Sequence, residues 1–223
     1  MKSDELQKNV FATYFSLRVG MAALAALFPV ILWIGGAFRG IELQESMSAY
    51  YHAASNGHTM RDWFVGILFA VGAFLYLYKG FSWQENWALN FGGVFALGIA
   101  LFPMPWKCDI ACELISAHAA FASLFFLSIA YVCIFRASDT LHLLEEGQRR
   151  KYRVIYKTLG ALMVATPVVG ALMTVVFMQF KSYVYFAEVA GIWTFAAYWI
   201  VKSVELGATR AEHLALQGVL QGR

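Results

Sequence analysis

Two ionisable residues fall inside otherwise apolar runs of the chain, His118 within Leu114–Phe135 and Glu188 within Tyr183–Val201. Burying an imidazole or a carboxylate in hydrocarbon is costly, so such residues default to a functional assignment. Each stands near the start of its run, and a 1.5 Å rise per residue sets both about 6–8 Å below the same surface. They can therefore meet. His118 shares a helix face with Leu114, Ala122 and Phe125, and Glu188 shares one with Gly191, Ile192 and Phe195. A glycine one turn from Glu188 implies a neighbouring helix on that face, which points the carboxylate inward. Such a pair can act as a general base with its orienting group, as a proton relay, or as a hydrogen bond that pins two helices.

The longest polar stretch between the first two apolar runs, SMSAYYHAASNGHTMRD from Ser46 to Asp62, supplies the remaining candidates. His52 and Asp62 join His118 and Glu188 as candidate catalytic groups. Ser48, Tyr50, Tyr51 and Arg61 are the candidate substrate contacts. Imidazole and carboxylate together suit zinc or another divalent metal, with His52, Asp62 and His118 as the candidate ligands. No pair of them has the i, i+4 spacing of a dedicated helical metal motif, so metal content stays open. Cys108 and Cys112 lie four apart in a short loop, and both a disulfide and two free thiols are compatible with that spacing. Lys202 ends the last run and is expected at the membrane boundary.

The elements that would hold these groups are membrane helices. Of 223 residues, 60% are hydrophobic and 14% charged, far from the roughly one quarter charged of a water-soluble domain. The net charge of +3 is too small to suggest a nucleic-acid partner. Apolar runs over about 19–38, 63–78, 87–104, 114–135, 158–180 and 183–201 approach or reach the ~20 residues needed to cross a bilayer. The first is expected to be a retained membrane helix. Thirteen of the seventeen Lys and Arg residues fall on the side of the termini, among them the Arg149-Arg150-Lys151 run. Positive charge marks the cytoplasmic side. The expectation is thus an all-α, polytopic integral membrane six-helix bundle, a single domain in a bacterial-type inner membrane with both termini cytoplasmic. Small residues four apart, Gly92, Ala96 and Ala100 in the third run and Ala187 and Gly191 in the sixth, mark helix-packing faces.

With six spans, a first loop reading Ser46-Met47-Ser48-Ala49-Tyr50-Tyr51, then Arg61-Asp62, Lys79-Gly80, Asn90, Phe102-Pro103 and His118, the chain resembles a group of uncharacterised bacterial membrane proteins similar in layout to the DRAM and FRAG-like six-helix families. That resemblance covers the first 60% of the chain and implies the topology, with no settled activity. Ser48, His52 and Asp62 also resemble the first half of the motif of alkaline ceramidase-type membrane hydrolases. The second half, a His-x-x-x-His in the last helix, has no counterpart here. What this second resemblance implies is hydrolysis with zinc as cofactor.

The function expected is therefore action on a lipid or small amphiphile at an outward-facing polar pocket, hydrolase-like in chemistry. Two alternatives are a proton-linked small-molecule transporter or binding protein using His118 and Glu188, and a non-catalytic structural membrane protein.

Overall fold

The computed structural model describes residues 2–106, 110–176 and 182–216. They are mostly helical, with one short hairpin and the loops that join the helices. Helix α1 (Lys2–Ala37) leads into a loop containing a 3-10 turn (Ser48–Tyr51) and the antiparallel strands β1 (Ala54–Ser55) and β2 (His58–Thr59). Then come α2 (Arg61–Leu77), α3 (Trp83–Leu101), the short α4 (Ile110–Leu114), α5 (Ala117–Tyr131) with a π turn at Val132–Arg136, α6 (Glu146–Val176), α7 (Ser182–Thr209) and α8 (Ala211–Leu216). Among the described residues four segments, Glu5–Ala37, Ala117–Leu143, Glu146–Met173 and Tyr183–Thr209, are long and apolar enough to cross a membrane.

Helix ends follow local chemistry. Ser82 caps α3 by accepting from the Glu85 N–H, and the Glu85 carboxylate returns to the Phe81 N–H at 2.7 Å, close to a capping box. Ser116 caps α5 through the Ala119 N–H. Helix α1 stops at Gly40, whose φ of +72° is open to glycine at little steric cost. There the Ile41 N–H reaches back to Gly36 and the Gly40 N–H to Ala37, the paired bonds of a Schellman ending.

Consecutive long helices pack on one another, and α7 returns to α1, so α1, α2, α3, α5, α6 and α7 close a ring in chain order. At one point two backbones nearly touch: a Cβ on Gly93 would lie 2.6 Å from the Gly72 carbonyl oxygen, and one on Gly72 would lie 2.9 Å from that of Gly93. Gly92, Ala96 and Ala100 are all buried on α3, where Gly92 faces Ile129 of α5.

Three helices run beyond the apolar stretches that predict them. Helix α1 begins at Lys2, α6 begins at Glu146 inside the charged connection, and α7 continues to Thr209. The last of these moves Lys202 from the expected boundary into the interior, where it is 1% exposed. Its ammonium donates to Glu205 at 2.7 Å, to the Thr140 hydroxyl at 2.9 Å and to the Ala137 carbonyl at 3.2 Å. Thr140 and Tyr156 hydroxyls donate in turn to the two Glu205 oxygens, so this buried pair is fully hydrogen-bonded. Arg18 of α1 pairs with Glu212 of α8 at the same end of the ring.

Candidate active site at the loop end of the bundle

The loop after α1 is fastened on both sides. On the α7 side, the Tyr185 N–H, an unpaired donor of the first helical turn, bonds to the Glu45 carbonyl at 3.0 Å. The Glu188 carboxylate accepts from the Met47 N–H. The Ser46 hydroxyl then accepts from the Ala49 N–H at 3.0 Å and so fixes the 3-10 turn that begins at Ser48. Tyr50 is fully buried beneath this turn, 6.1 Å from the Tyr185 ring, and fits against α1 because Gly36 has no side chain there. Burial pushes the Tyr50 phenol above its ordinary value, so it stays neutral.

On the other side the loop meets the segment between α3 and α4. His118, in the first turn of α5 and 7% exposed, uses both ring nitrogens. Its Nδ1 lies 2.9 Å from the Phe102 carbonyl oxygen, which can only accept, so Nδ1 carries the proton. Nε2 is then the acceptor, and the Ser48 hydroxyl donates to it at 2.8 Å. His52 makes the parallel contact two residues along, donating from Nε2 to the Met104 carbonyl at 2.9 Å, with its ring 4.9 Å from Trp106. Both accepting carbonyls belong to residues that precede proline, Pro103 and Pro105. A residue before proline is pushed toward extended backbone, which leaves its carbonyl outside the helical ladder and open to a side chain.

The loop then forms the β1–β2 hairpin around Asn56 and Gly57, both at positive φ (49° and 77°), the two-residue turn that Asn-Gly favours. His58, Arg61 and Asp62 are exposed, and Arg61 lies over the Tyr51 ring at 5.8 Å.

Beneath Ser48 the ring of helices lines a half-open cavity with about 70 Å³ of free space. Ser48 and Glu188 stand at its wall, and all its other lining side chains are apolar. Ala122, Phe125, Ile192 and Phe195, the residues expected to share faces with His118 and Glu188, are among them.

Of the sequence candidates, His118 and Glu188 both come to one short piece of loop, but to different atoms. Glu188 holds the Met47 backbone, while His118 holds the adjacent Ser48 side chain. His118 has no ring nitrogen left for a bond to Glu188. His52 turns away to Met104, and the Ser48 hydroxyl bonds to His118. Asp62 stands exposed at the start of α2, outside the buried cluster. Among the described residues no three His, Cys, Asp or Glu side chains converge on a point that could hold a metal ion. Cys112 is disulfide-bonded and Cys133 is a buried free thiol, while Cys108 lies outside the described residues. The Phe102 and Met104 carbonyls and the Met47 N–H take part through the backbone, with no side-chain chemistry to announce them.

The fold and this site define a helical bundle with membrane-compatible helices and a half-buried serine bonded to a buried histidine above an apolar cavity. No protein-family model, curated protein or solved structure matches the chain.

Proposed function

We propose that the chain is a six-span integral membrane protein of a bacterial-type inner membrane, with cytoplasmic termini, that transfers or hydrolyses the acyl group of a lipid or small amphiphile at its outward face. The thirteen-to-four split of Lys and Arg supports the orientation, and the six-span reading is supported by α2 and α3 closing a ring with the four segments long and apolar enough to cross a membrane.

The hydrogen bond from Ser48 to His118 Nε2 carries the functional assignment. A serine hydroxyl becomes a useful nucleophile when an adjacent base accepts its proton and a third group orients that base. Here the third group is the Phe102 carbonyl, which fixes the Nδ1–H tautomer. In the first step Ser48 Oγ forms a bond to the acyl carbon, and its proton passes to His118 Nε2. The ester C–O bond breaks, and the leaving oxygen takes that proton. Water or a second alcohol then attacks the acyl-serine, with His118 again as base, and Ser48 is regenerated. Glu188 acts earlier in the chain of causes, by fixing the backbone one residue before the nucleophile.

A transporter is disfavoured by what lies under the cavity. Trp199 packs on Phe195, Tyr198 and Tyr78, with ring centroids 6.2, 5.0 and 5.0 Å away, and all four are buried. This aromatic layer lies between the cavity and the Lys202–Glu205 pair.

The test is turnover of a short-chain p-nitrophenyl ester by the full chain in lipid nanodiscs. Ser48→Ala and His118→Gln should each lower the rate by about 10²-fold or more, and the double variant should be no worse than either single one, since the two groups act as a unit. Undiminished turnover in Ser48→Ala would remove the nucleophile from the account.

A further inference from the structure

We propose that the cavity below Ser48 is a subsite for one acyl chain of medium length, about eight carbons, with the acyl carbonyl at Ser48 and the methyl end against Phe125 and Phe195. This rests on the acyl-transfer role given to Ser48 above, and it adds which acyl groups that role admits.

The cavity wall is almost wholly apolar. Among the described residues Ser48 and Glu188 are its only polar lining side chains, and both belong to the loop end. An apolar wall of this kind offers water no hydrogen-bond partners and gains by taking an apolar guest. The shape is set by two helices that run its length. On α2 the lining passes from Phe64 through Leu68 to Val71, and on α7 from Glu188 through Ile192 to Phe195. Each traverse covers seven residue steps, which at 1.5 Å per residue is about 10 Å of depth. An extended alkyl chain advances about 1.25 Å per carbon–carbon bond of ~1.52 Å, so that depth accommodates about eight carbons.

The floor is solid. Phe125 and Phe195 are 3% and 1% exposed, with ring centroids 5.6 Å apart, and the Trp199 ring lies directly under Phe195. A longer chain has to displace packed aromatic rings or leave its tail outside. A shorter one leaves apolar wall uncovered, at about a fourfold loss of affinity per methylene. The subsite therefore selects by length, with a maximum and not a plateau.

A series of n-alkyl fluorophosphonates from four to sixteen carbons, reacted with the full chain in nanodiscs and quantified on the Ser48 peptide, reads this selection directly. The labelling rate should rise to a maximum near eight carbons and fall beyond it. Phe195→Ala, which opens the floor, should move the maximum to longer chains by about two to four carbons. Because that variant removes a buried ring and can lose its fold, the unreactive Ser48→Ala protein provides a second measurement. Its thermal stability with n-alkyl phosphonates of the same lengths should peak at the same chain length. Equal labelling at all lengths would overturn the subsite while leaving Ser48 as nucleophile. No labelling of Ser48, but a stability maximum near eight carbons in Ser48→Ala, would keep the subsite and remove the nucleophile. Flat responses in both experiments would remove both.

Discussion

Ser48 Oγ and His118 Nε2 lie 2.8 Å apart although 70 positions separate them in sequence, and each is held from behind by a backbone bond. The serine is fixed through Met47 to Glu188 of α7, and the histidine through Phe102 at the end of α3. Helices that do not touch the nucleophile therefore decide where it stands.

Glu188 should behave as a holder of the loop. Glu188→Gln retains an oxygen that accepts from the Met47 N–H, so stability and turnover should change little. Glu188→Leu strands that donor in a partly buried position and should destabilise by about 1–3 kcal/mol, with a parallel loss of turnover. Melting temperature and ester hydrolysis measured on the same nanodisc preparation check this. A Glu188→Leu protein as stable and as active as the wild type would contradict it.

The α2–α3 crossing predicts a contrast between glycines. Gly93→Ala puts a Cβ 2.6 Å from the Gly72 carbonyl oxygen, so the helices must separate, at about 1–3 kcal/mol. Gly66→Ala on α2 has nothing within 4 Å and should be neutral or slightly stabilising. Thermal unfolding of the two variants side by side should order them in that way. A Gly93→Ala protein as stable as Gly66→Ala would show that the backbones do not meet.

The Lys202–Glu205 pair makes a non-additive prediction. Glu205→Leu alone leaves a buried ammonium without its counter-charge and should cost about 3–5 kcal/mol. Lys202→Met combined with Glu205→Leu removes both charges and should be more stable than the single variant. Unfolding midpoints of the two singles and the double decide it, and a double variant worse than either single would contradict a charge-compensation role.

Orientation is checked by cysteine accessibility. In a Cys133→Ala background, an impermeant maleimide should label Ala54→Cys on the exposed hairpin from outside the cell and should not label Gly147→Cys at the start of α6. The opposite pattern would place the Ser48 site on the cytoplasmic side.

The sequence made parts of this architecture visible for clear physical reasons. Apolar runs identify helices because hydrocarbon demands them, and His118 and Glu188 stand out because an ionisable group in such a run is costly. The pairing of His118 with Ser48 was hidden, since periodicity says which face a helical residue occupies but not which loop residue descends onto it. The segment Phe102-Pro103-Met104-Pro105 carries a subtler signal: two pre-proline carbonyls, one for each of the two histidines that bind there. The Asn56-Gly57 dipeptide likewise announced a hairpin inside what reads as a plain polar loop. Lys202 was misplaced because α7 outruns its apolar stretch by eight residues beyond Val201, carried by the buried Glu205, Thr140 and Tyr156 contacts and not by hydropathy.

The most direct measurement is peptide mass spectrometry of the full chain after reaction with an eight-carbon fluorophosphonate across a pH series. A neutral His118 accepts the Ser48 proton and a protonated one cannot, so labelling should be present at high pH and lost as pH falls through a single ionisation. The predicted result is one phosphonyl adduct on Ser48, abolished in His118→Gln. An adduct on Ser48 that forms at the same rate in His118→Gln, or none on Ser48 at any pH, would contradict the serine–histidine site.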